Sequence, residues 1–141
     1  MLKNIPPILS PDLLHILMSM GHGDEIVIAD GNFPADTHAE RLIRADGHGV
    51  CDIVNAFIPF FPMDESVNDY AIVMATGNES IPPIWTEFES ILHNQSPNRS
   101  TLTSISREAF YERSRNAFAI VASSESALFA NIILKKGVVI I

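Results

Sequence analysis

The sequence predicts an α/β domain in which strands alternate with helices, and three observations carry that expectation. Short apolar runs recur at 25–30, 70–75, 118–122 and 128–134, the pattern of strands buried on both faces. Segments with apolar residues at helical spacing precede them at 13–20 and lie between them at 49–60 and 82–92. Serine and proline stand where such segments should begin, glycine and proline where they should end. Alternation of this kind builds strand–helix–strand units rather than a sandwich or a bundle.

Each element has a local reason. Ser10 is placed to cap a helix, Pro11 fits its first position, and Asp12 suits its positive end. Leu13, Leu14, Ile16, Leu17 and Met20 form the apolar face, and Gly21 stops the helix. The strand 25–30 is followed by a loop, Gly31-Asn32-Phe33-Pro34. Residues 39–44 fit either a short strand or a short helix. The helical pattern of 49–60 is brought to an end by Pro59 and Pro62. An acidic loop, 63–69, leads to the strand 70–75. Pro82 and Pro83 open a helix that runs to about Leu92. A polar loop, 93–100, precedes a short strand at 102–105. Ser106 caps a helix over 107–116. The strand 118–122, a Ser-Ser-Glu-Ser turn and the strand 128–134 complete the pattern, and Lys135-Lys136-Gly137 lead into an apolar tail. With no internal repeat and no linker, residues 1–141 read as one domain.

Hydrophobic residues make up 47% of the 141 residues and charged residues only 18%. A small domain has much surface to cover, so this balance predicts a homo-oligomer. A net charge of −8 argues against nucleic acid or an anionic membrane as partner. The one cysteine, Cys51, cannot form an intrachain disulfide. It lies in an apolar helical pattern with Val50, Ile53, Val54 and Phe57, and reads as a small core residue. The beginning of the chain lacks the long apolar stretch of a signal peptide, and no apolar run reaches the roughly 18 residues of a membrane span. A cytoplasmic location is therefore expected.

Neither glycine-rich phosphate motifs nor a Gly-x-Ser-x-Gly elbow is present. His38 and His48 lie near Asp36, Asp46 and Asp52, but without the tight spacing of metal ligands, so no metal site is expected. Three other constellations carry chemistry. His22 is flanked by Gly21 and Gly23, which leave room for a ligand, and the strand after it ends in Asp30, where α/β folds bind ligands. The plainer alternative is an ordinary turn with a surface histidine. Arg107 falls in the first turn of a helix, where a cation opposes the helix dipole unless it has a task elsewhere. The plainer alternative is a solvated helix in which Glu108, Glu112 and Arg115 exchange ion pairs. Phe110 reads as core, and Tyr111 as core or pocket wall. Asn131 stands in an apolar strand, where its amide must find partners in a ligand or a neighbouring segment.

Taken in order, these constellations identify the chain as similar to the L-fucose mutarotase and D-ribose pyranase family, nearer the fucose branch. The resemblance is carried by Ser10-Pro11-Asp12-Leu13-Leu14, Met20-Gly21-His22-Gly23-Asp24-Glu25-Ile26, Asp30, Phe33-Pro34, Ile43-Arg44-Ala45-Asp46-Gly47, Phe110-Tyr111-Glu112-Arg113, Ala117-Phe118-Ala119-Ile120-Val121, and Asn131 through Val138. It runs almost the length of the chain. It implies a cofactor-free isomerase of monosaccharides and a ring-shaped assembly, typically decameric, with sites near subunit contacts. His22 aligns with the family's proton-transfer histidine, and Asp30 and Arg107 with substrate-binding residues. Phe129-Ala130-Asn131 aligns with a substrate-binding segment that in the fucose branch usually reads Tyr-Gly-Asn. Phe129 lacks the tyrosine hydroxyl, and Ala130 restricts the backbone that glycine leaves free.

Mutarotation needs a base for the anomeric hydroxyl proton and an acid for the ring oxygen. The ring opens to an aldehyde, a C–C bond rotates, and closure gives the other anomer. His22 is expected to move one of these protons, with Asp30 holding sugar hydroxyls or orienting the imidazole, Arg107 and Asn131 fixing the ring, and Tyr111 a weaker candidate for the second proton. An extended path from His22 to Asp30 spans roughly 26 Å, too far for one monosaccharide. Either the turn folds His22 back, or two subunits supply the two residues. Two other functions compete: ring opening from pyranose to furanose on the pyranase pattern, and a non-catalytic sugar-binding module.

Overall fold

The computed structural model describes residues 1–141. Six strands form one mixed sheet: β1 (Glu25–Ala29), β2 (Leu42–Ala45), β3 (Ala71–Met74), β4 (Thr103–Ile105), β5 (Ala119–Ser123) and β6 (Ile132–Lys135). Their order is β2-β5-β1-β6-β3-β4. All pairings are parallel except those of β6, which runs antiparallel to β1 and to β3. The predicted α/β class holds. The open stretch 39–44 resolves as β2, one to three residues later than the pattern suggested.

Helices cover both faces. On one side α1 (Pro11–Ser19), α3 (Val50–Phe57) and α4 (Pro83–Gln95) pack Leu13, Ile16, Ile53, Phe57, Phe88 and Leu92 against Ile26, Ile28, Val121, Ile132 and Leu134. On the other, α2 (Ala35–His38) and α5 (Arg107–Asn116) bring Phe33, Ala35 and Phe110 against Val27, Ile72, Ile120 and Ile133. Alternate residues of β1 therefore serve opposite cores, which is why its sequence is an unbroken apolar run. The capping residues act as expected: Ser10 and Ser106 accept from Leu13 N–H and Ala109 N–H, both at 3.1 Å. The helical pattern of 49–60 divides at Pro59 into α3 and a 3₁₀ turn, Ile58–Phe60. Helix α2 carries no periodic signal in only four residues, and the sequence pattern missed it.

The stretch 128–134 is a correction. Only its last three residues join β6; residues 128–131 form a loop. Phe129 holds a left-handed backbone, φ +55°, which no strand accommodates. Trp85 fixes that shape by donating its Nε1–H to the Phe129 carbonyl at 2.9 Å. Ala130 lies fully buried in the larger core. Cys51 is only half-buried, less enclosed than its pattern suggested. Burial and the neighbouring Glu87, Glu125 and Asp52 carboxylates push its thiol up to about 12, which leaves it unreactive at neutral pH.

Phe110 carries the docking of α5: it is fully buried and meets the Phe33 ring edge-on at 5.9 Å. Phe110→Ala is expected to cost about 3–5 kcal/mol of stability. Urea titration checks this, and a loss below about 1 kcal/mol would contradict the packing described.

Candidate active site

The residues singled out in the sequence separate into two groups at opposite edges of the sheet. At the carboxyl end of the parallel strands lies a cavity of about 260 Å³ lined by Asp30, Phe33, Met74, Arg107, Tyr111, Phe129 and Asn131, among others. Asp30 follows β1, Met74 ends β3, Arg107 opens α5, and Asn131 precedes β6. Because β6 is antiparallel, its beginning meets the end of β1. Such carboxyl edges are where α/β sheets bind ligands.

Asp30 and Asn131 are both buried and hold each other in both directions. Asp30 N–H donates to Asn131 Oδ1 at 2.7 Å, and Asn131 Nδ2 donates to Asp30 Oδ2 at 3.1 Å. Asn32 N–H adds a bond to Asp30 Oδ1 at 3.0 Å. Here is the partner that a buried amide requires. Carboxylate lone pairs remain to accept sugar hydroxyls. Across the cavity Arg107 donates from Nε to the Tyr111 hydroxyl at 3.2 Å and lies over the ring at 5.4 Å. Its two terminal nitrogens stay free for a ligand. Tyr111 is pocket wall rather than core, in edge contact with Phe33 at 5.6 Å and beside His38 at 5.2 Å. A carboxylate, a guanidinium, an amide and a phenol over an apolar floor match a ring that carries hydroxyls on some faces and C–H on others. The solvated-helix alternative applies to its far side only, where Arg115 pairs with Glu112 at 2.6 Å.

His22 lies at the opposite edge, before β1. About 17 Å of extended strand separates Glu25 from Asp30. The turn does not fold the histidine back. Gly23, at φ +86°, steers the chain so that its N–H reaches the Lys136 carbonyl at 2.8 Å, and His22 projects into a second cavity of about 480 Å³. Met63, Asp64, Ser66, Val138 and Ile140 share that cavity. The imidazole is half-exposed, with Nε2 3.3 Å from Asp64 Oδ1. Asp64 is 3% exposed, and the same oxygen accepts the Ser66 hydroxyl at 2.7 Å and the Ser66 N–H at 2.9 Å. The Ser66 hydroxyl, with its N–H and His22, holds the Asp64 carboxyl below the usual range against the effect of desolvation. With Nε2 as donor to this carboxylate, Nδ1 is the ring nitrogen left without a partner.

Comparison with known proteins places this geometry. The model of the RbsD / FucU transport protein family matches residues 3–139. The chain belongs to the RbsD / FucU family. It is 46% identical to the human fucose mutarotase, over 97% of this chain and 94% of that protein. The crystal structure of the fucose mutarotase from Streptococcus pneumoniae in complex with L-fucose is similar with a TM-score of 0.93 and 45% identity, over 99% of this chain and all of that one. The Bacillus subtilis RbsD complexed with D-ribose gives a TM-score of 0.74 at 25% identity, over 99% of this chain and all of that one.

In this RbsD / FucU member the sequence reading singled out His22, Asp30, Arg107 and Asn131 as candidates and passed over three groups that the structure sets around them. Asp64 and Ser66 sat in a stretch read as an acidic loop, where only a buried aspartate followed two residues on by serine hints at an Asx-type turn. Trp85 was given no role within the helix expected over 82–92. Arg113 was given no role of its own, yet it grips Glu25 through Nη2 at 2.6 Å and Asp69 through Nη1 at 3.0 Å, tying α5 to the start of β1. No three His, Cys, Asp or Glu side chains converge as a metal would need; His38, for one, is turned toward the aromatic wall.

Asn131→Ala removes the partner of the buried Asp30 and is expected to destabilise the fold by about 1–3 kcal/mol while weakening sugar binding. Calorimetry and thermal unfolding check both, and unchanged values would show that the pair is dispensable. Acid stability is a second outcome. Burial opposes ionisation of Asp69, but Arg113, a main-chain hydrogen bond and Lys135 together outweigh it, so Asp69 joins Asp64 in having a carboxyl held below its ordinary value of 3.8. Groups depressed in the folded state add stability that is fully present above 3.8 and is lost as pH falls through their folded values. Asp64→Asn should flatten part of that decline in pH-dependent unfolding; an identical acid limb would refute the assignment.

Proposed function

We propose that residues 1–141 form one mutarotase domain that interconverts the α and β anomers of L-fucose or a related aldose. The observation that carries this is the hydroxyl-binding cradle of Asp30, Asn131, Arg107 and Tyr111 in a fold shared over its full length with a mutarotase solved with L-fucose. The activity is that of an isomerase and consumes no co-reactant.

In the reaction, a base takes the proton of the anomeric hydroxyl while an acid delivers one to the ring oxygen. The C1–O bond to the ring breaks, C1 becomes an aldehyde, and the pair of electrons leaves on the ring oxygen as a new hydroxyl. Rotation about C1–C2 presents the other face, and reversal of the proton transfers closes the other anomer. His22 moves one proton through Nδ1, with Asp64 holding the ring and stabilising the imidazolium. Asp30, Arg107, Asn131 and the 129–130 backbone fix the sugar. Groups so placed supply typically about 10² to 10⁴-fold acceleration.

His22 and the cradle belong to one site contributed by two copies of the chain. The support is their placement at opposite edges of the sheet, and the exposed apolar side chains Met18, Phe60, Leu128, Val139 and Ile140, which need cover. A closed homo-oligomer, a decameric ring, repeats such a site at each contact. Its partners are the monosaccharide and further copies of itself, its setting the cytoplasm. No helix is long and apolar enough to cross a membrane. Greater likeness to the L-fucose complex than to the D-ribose complex favours anomer exchange over the pyranase reaction.

Saturation-transfer NMR on the anomeric protons of L-fucose, with D-ribose alongside, tests the reading. Exchange should accelerate for fucose and collapse in His22→Ala; saturable binding without acceleration would leave a binding module. Mixing inactive His22→Ala and Asp30→Asn chains tests the shared site. Random exchange of subunits restores about one quarter of the sites, a half chance for each intact residue, whereas a site within one chain restores none.

A further inference from the structure

The loop 61–70 carries Asp64 and has no regular structure beyond a single bridge from Met63 to Lys136. Its first part is fastened by main chain: Asp64 N–H donates to the Lys135 carbonyl at 3.1 Å and Gly137 N–H to the Pro62 carbonyl at 2.7 Å. Gly137 allows this approach, since a Cβ there would lie 2.5 Å from the Met63 carbonyl oxygen. Residues 65–67 are fastened differently. Outside the loop, only Arg99 hydrogen-bonds to them, donating from Nη2 to the Glu65 carbonyl at 2.7 Å and from Nη1 to the Val67 carbonyl at 2.8 Å.

Those two carbonyls bracket Ser66, the residue that gives both its N–H and its hydroxyl to Asp64 Oδ1. Arg99 is itself set in place. Its guanidinium lies over the Tyr70 ring at 5.0 Å, and the Tyr70 hydroxyl accepts from Thr101 N–H at 3.0 Å. No carboxylate pairs with it, so its fork is spent wholly on main-chain carbonyls. A planar fork holds two carbonyls at a fixed separation, which the single ammonium of lysine cannot do.

We propose that Arg99 is a positioning residue for His22: by clamping the carbonyls on either side of Ser66 it keeps Asp64 under the imidazole and fixes which ring nitrogen is free. This rests on the reading of His22 as the proton-transfer group. Arg99 lines neither the His22 cavity nor the sugar cradle, so its loss should act on turnover and leave sugar affinity alone.

The test compares Arg99→Ala, Arg99→Lys and His22→Ala in the full chain, by anomer-exchange kinetics and by the ¹⁵N spectrum of the His22 ring. If the ordered arrangement is then populated one tenth of the time, Arg99→Ala lowers kcat about tenfold. KM should stay within about twofold, as expected when only the population of a competent state changes. The ring spectrum moves from the Nε2–H form to a mixture of tautomers, and Arg99→Lys falls between. Guanidinium at tens of millimolar should restore part of the activity to Arg99→Ala and none to His22→Ala. Should Arg99→Ala fail to fold, Arg99→Lys decides by the same two readouts. Wild-type kcat, or reduced kcat with an unchanged His22 ring spectrum, would overturn the proposal. Full exchange in His22→Ala would overturn the reading of His22 as the proton-transfer group as well, leaving the mutarotase activity itself in place, and is seen without any Arg99 variant.

Discussion

The antiparallel pairing of β6 with β1 is the constraint on which both the His22–Asp64 contact and the Asp30–Asn131 pair depend. Its register sets Glu25 against Lys135 and Ile28 against Ile132. One step beyond the ladder at one end, Asn131 meets Asp30; beyond it at the other, the Lys136 carbonyl takes the Gly23 N–H and the chain lies over Asp64. A two-residue slip would keep every side chain on its own face of the sheet and still separate both sets of partners. Register is protected by the burial of both faces of β1, by Gly137, where any side chain would strike Met63, by the cross-strand ion pair of Glu25 with Lys135, and by the grip of Arg113, from α5, on Glu25. Glu25 is nearly buried, so those pairs are satisfied by geometry rather than screened by solvent.

How much was legible follows from the same physics. Helix caps and doubly buried strands are written in neighbouring residues, so α1, α5, β1, β3 and β5 were readable to within a residue or two. The topology was not. Nothing local in Ile132-Ile133-Leu134 distinguishes an antiparallel insertion from another parallel strand, and the direction of β6 decides that Asn131 faces Asp30. The candidate residues were found one at a time, His22 by its glycines and Asn131 by its apolar surroundings. Asp64 was hidden because its importance comes from a contact 42 positions away. The reverse error also occurred: an apolar run suggested strand as far back as Leu128, where a hydrogen bond from Trp85 and a left-handed Phe129 impose a loop.

That loop also bears on the departures from the fucose-branch pattern at 129 and 130. The expected conformational cost at Ala130 does not arise, because the positive φ sits one residue earlier and the Ala130 methyl is absorbed in the core. A bulky residue at positive φ costs of order 1–2 kcal/mol and persists only where its surroundings insist on it. Here they do: Ala130 and Asn131 are buried on one side, and the indole holds the Phe129 carbonyl from another. The backbone that presents this edge of the cavity is thus enforced by packing, and what the phenylalanine withholds from a sugar is one hydroxyl contact, about 1 kcal/mol net in an ordinary case.

On the proposed reading, separation of the proton-transfer group from the cradle gives an assembly a chemical meaning. Neither half would open a sugar ring alone. His22 with Asp64 would move a proton but has few groups to orient a hydroxylated ring, while the cradle would bind hydroxyls with its cation and carboxylate committed to holding them. If the two meet only between copies, catalysis requires association, and the apolar surface that drives association becomes part of the active-site design. The high hydrophobic content would then follow from function as well as from folding: the exposed Met18, Phe60, Leu128, Val139 and Ile140 would belong to the surface that brings His22 to another copy's Asp30.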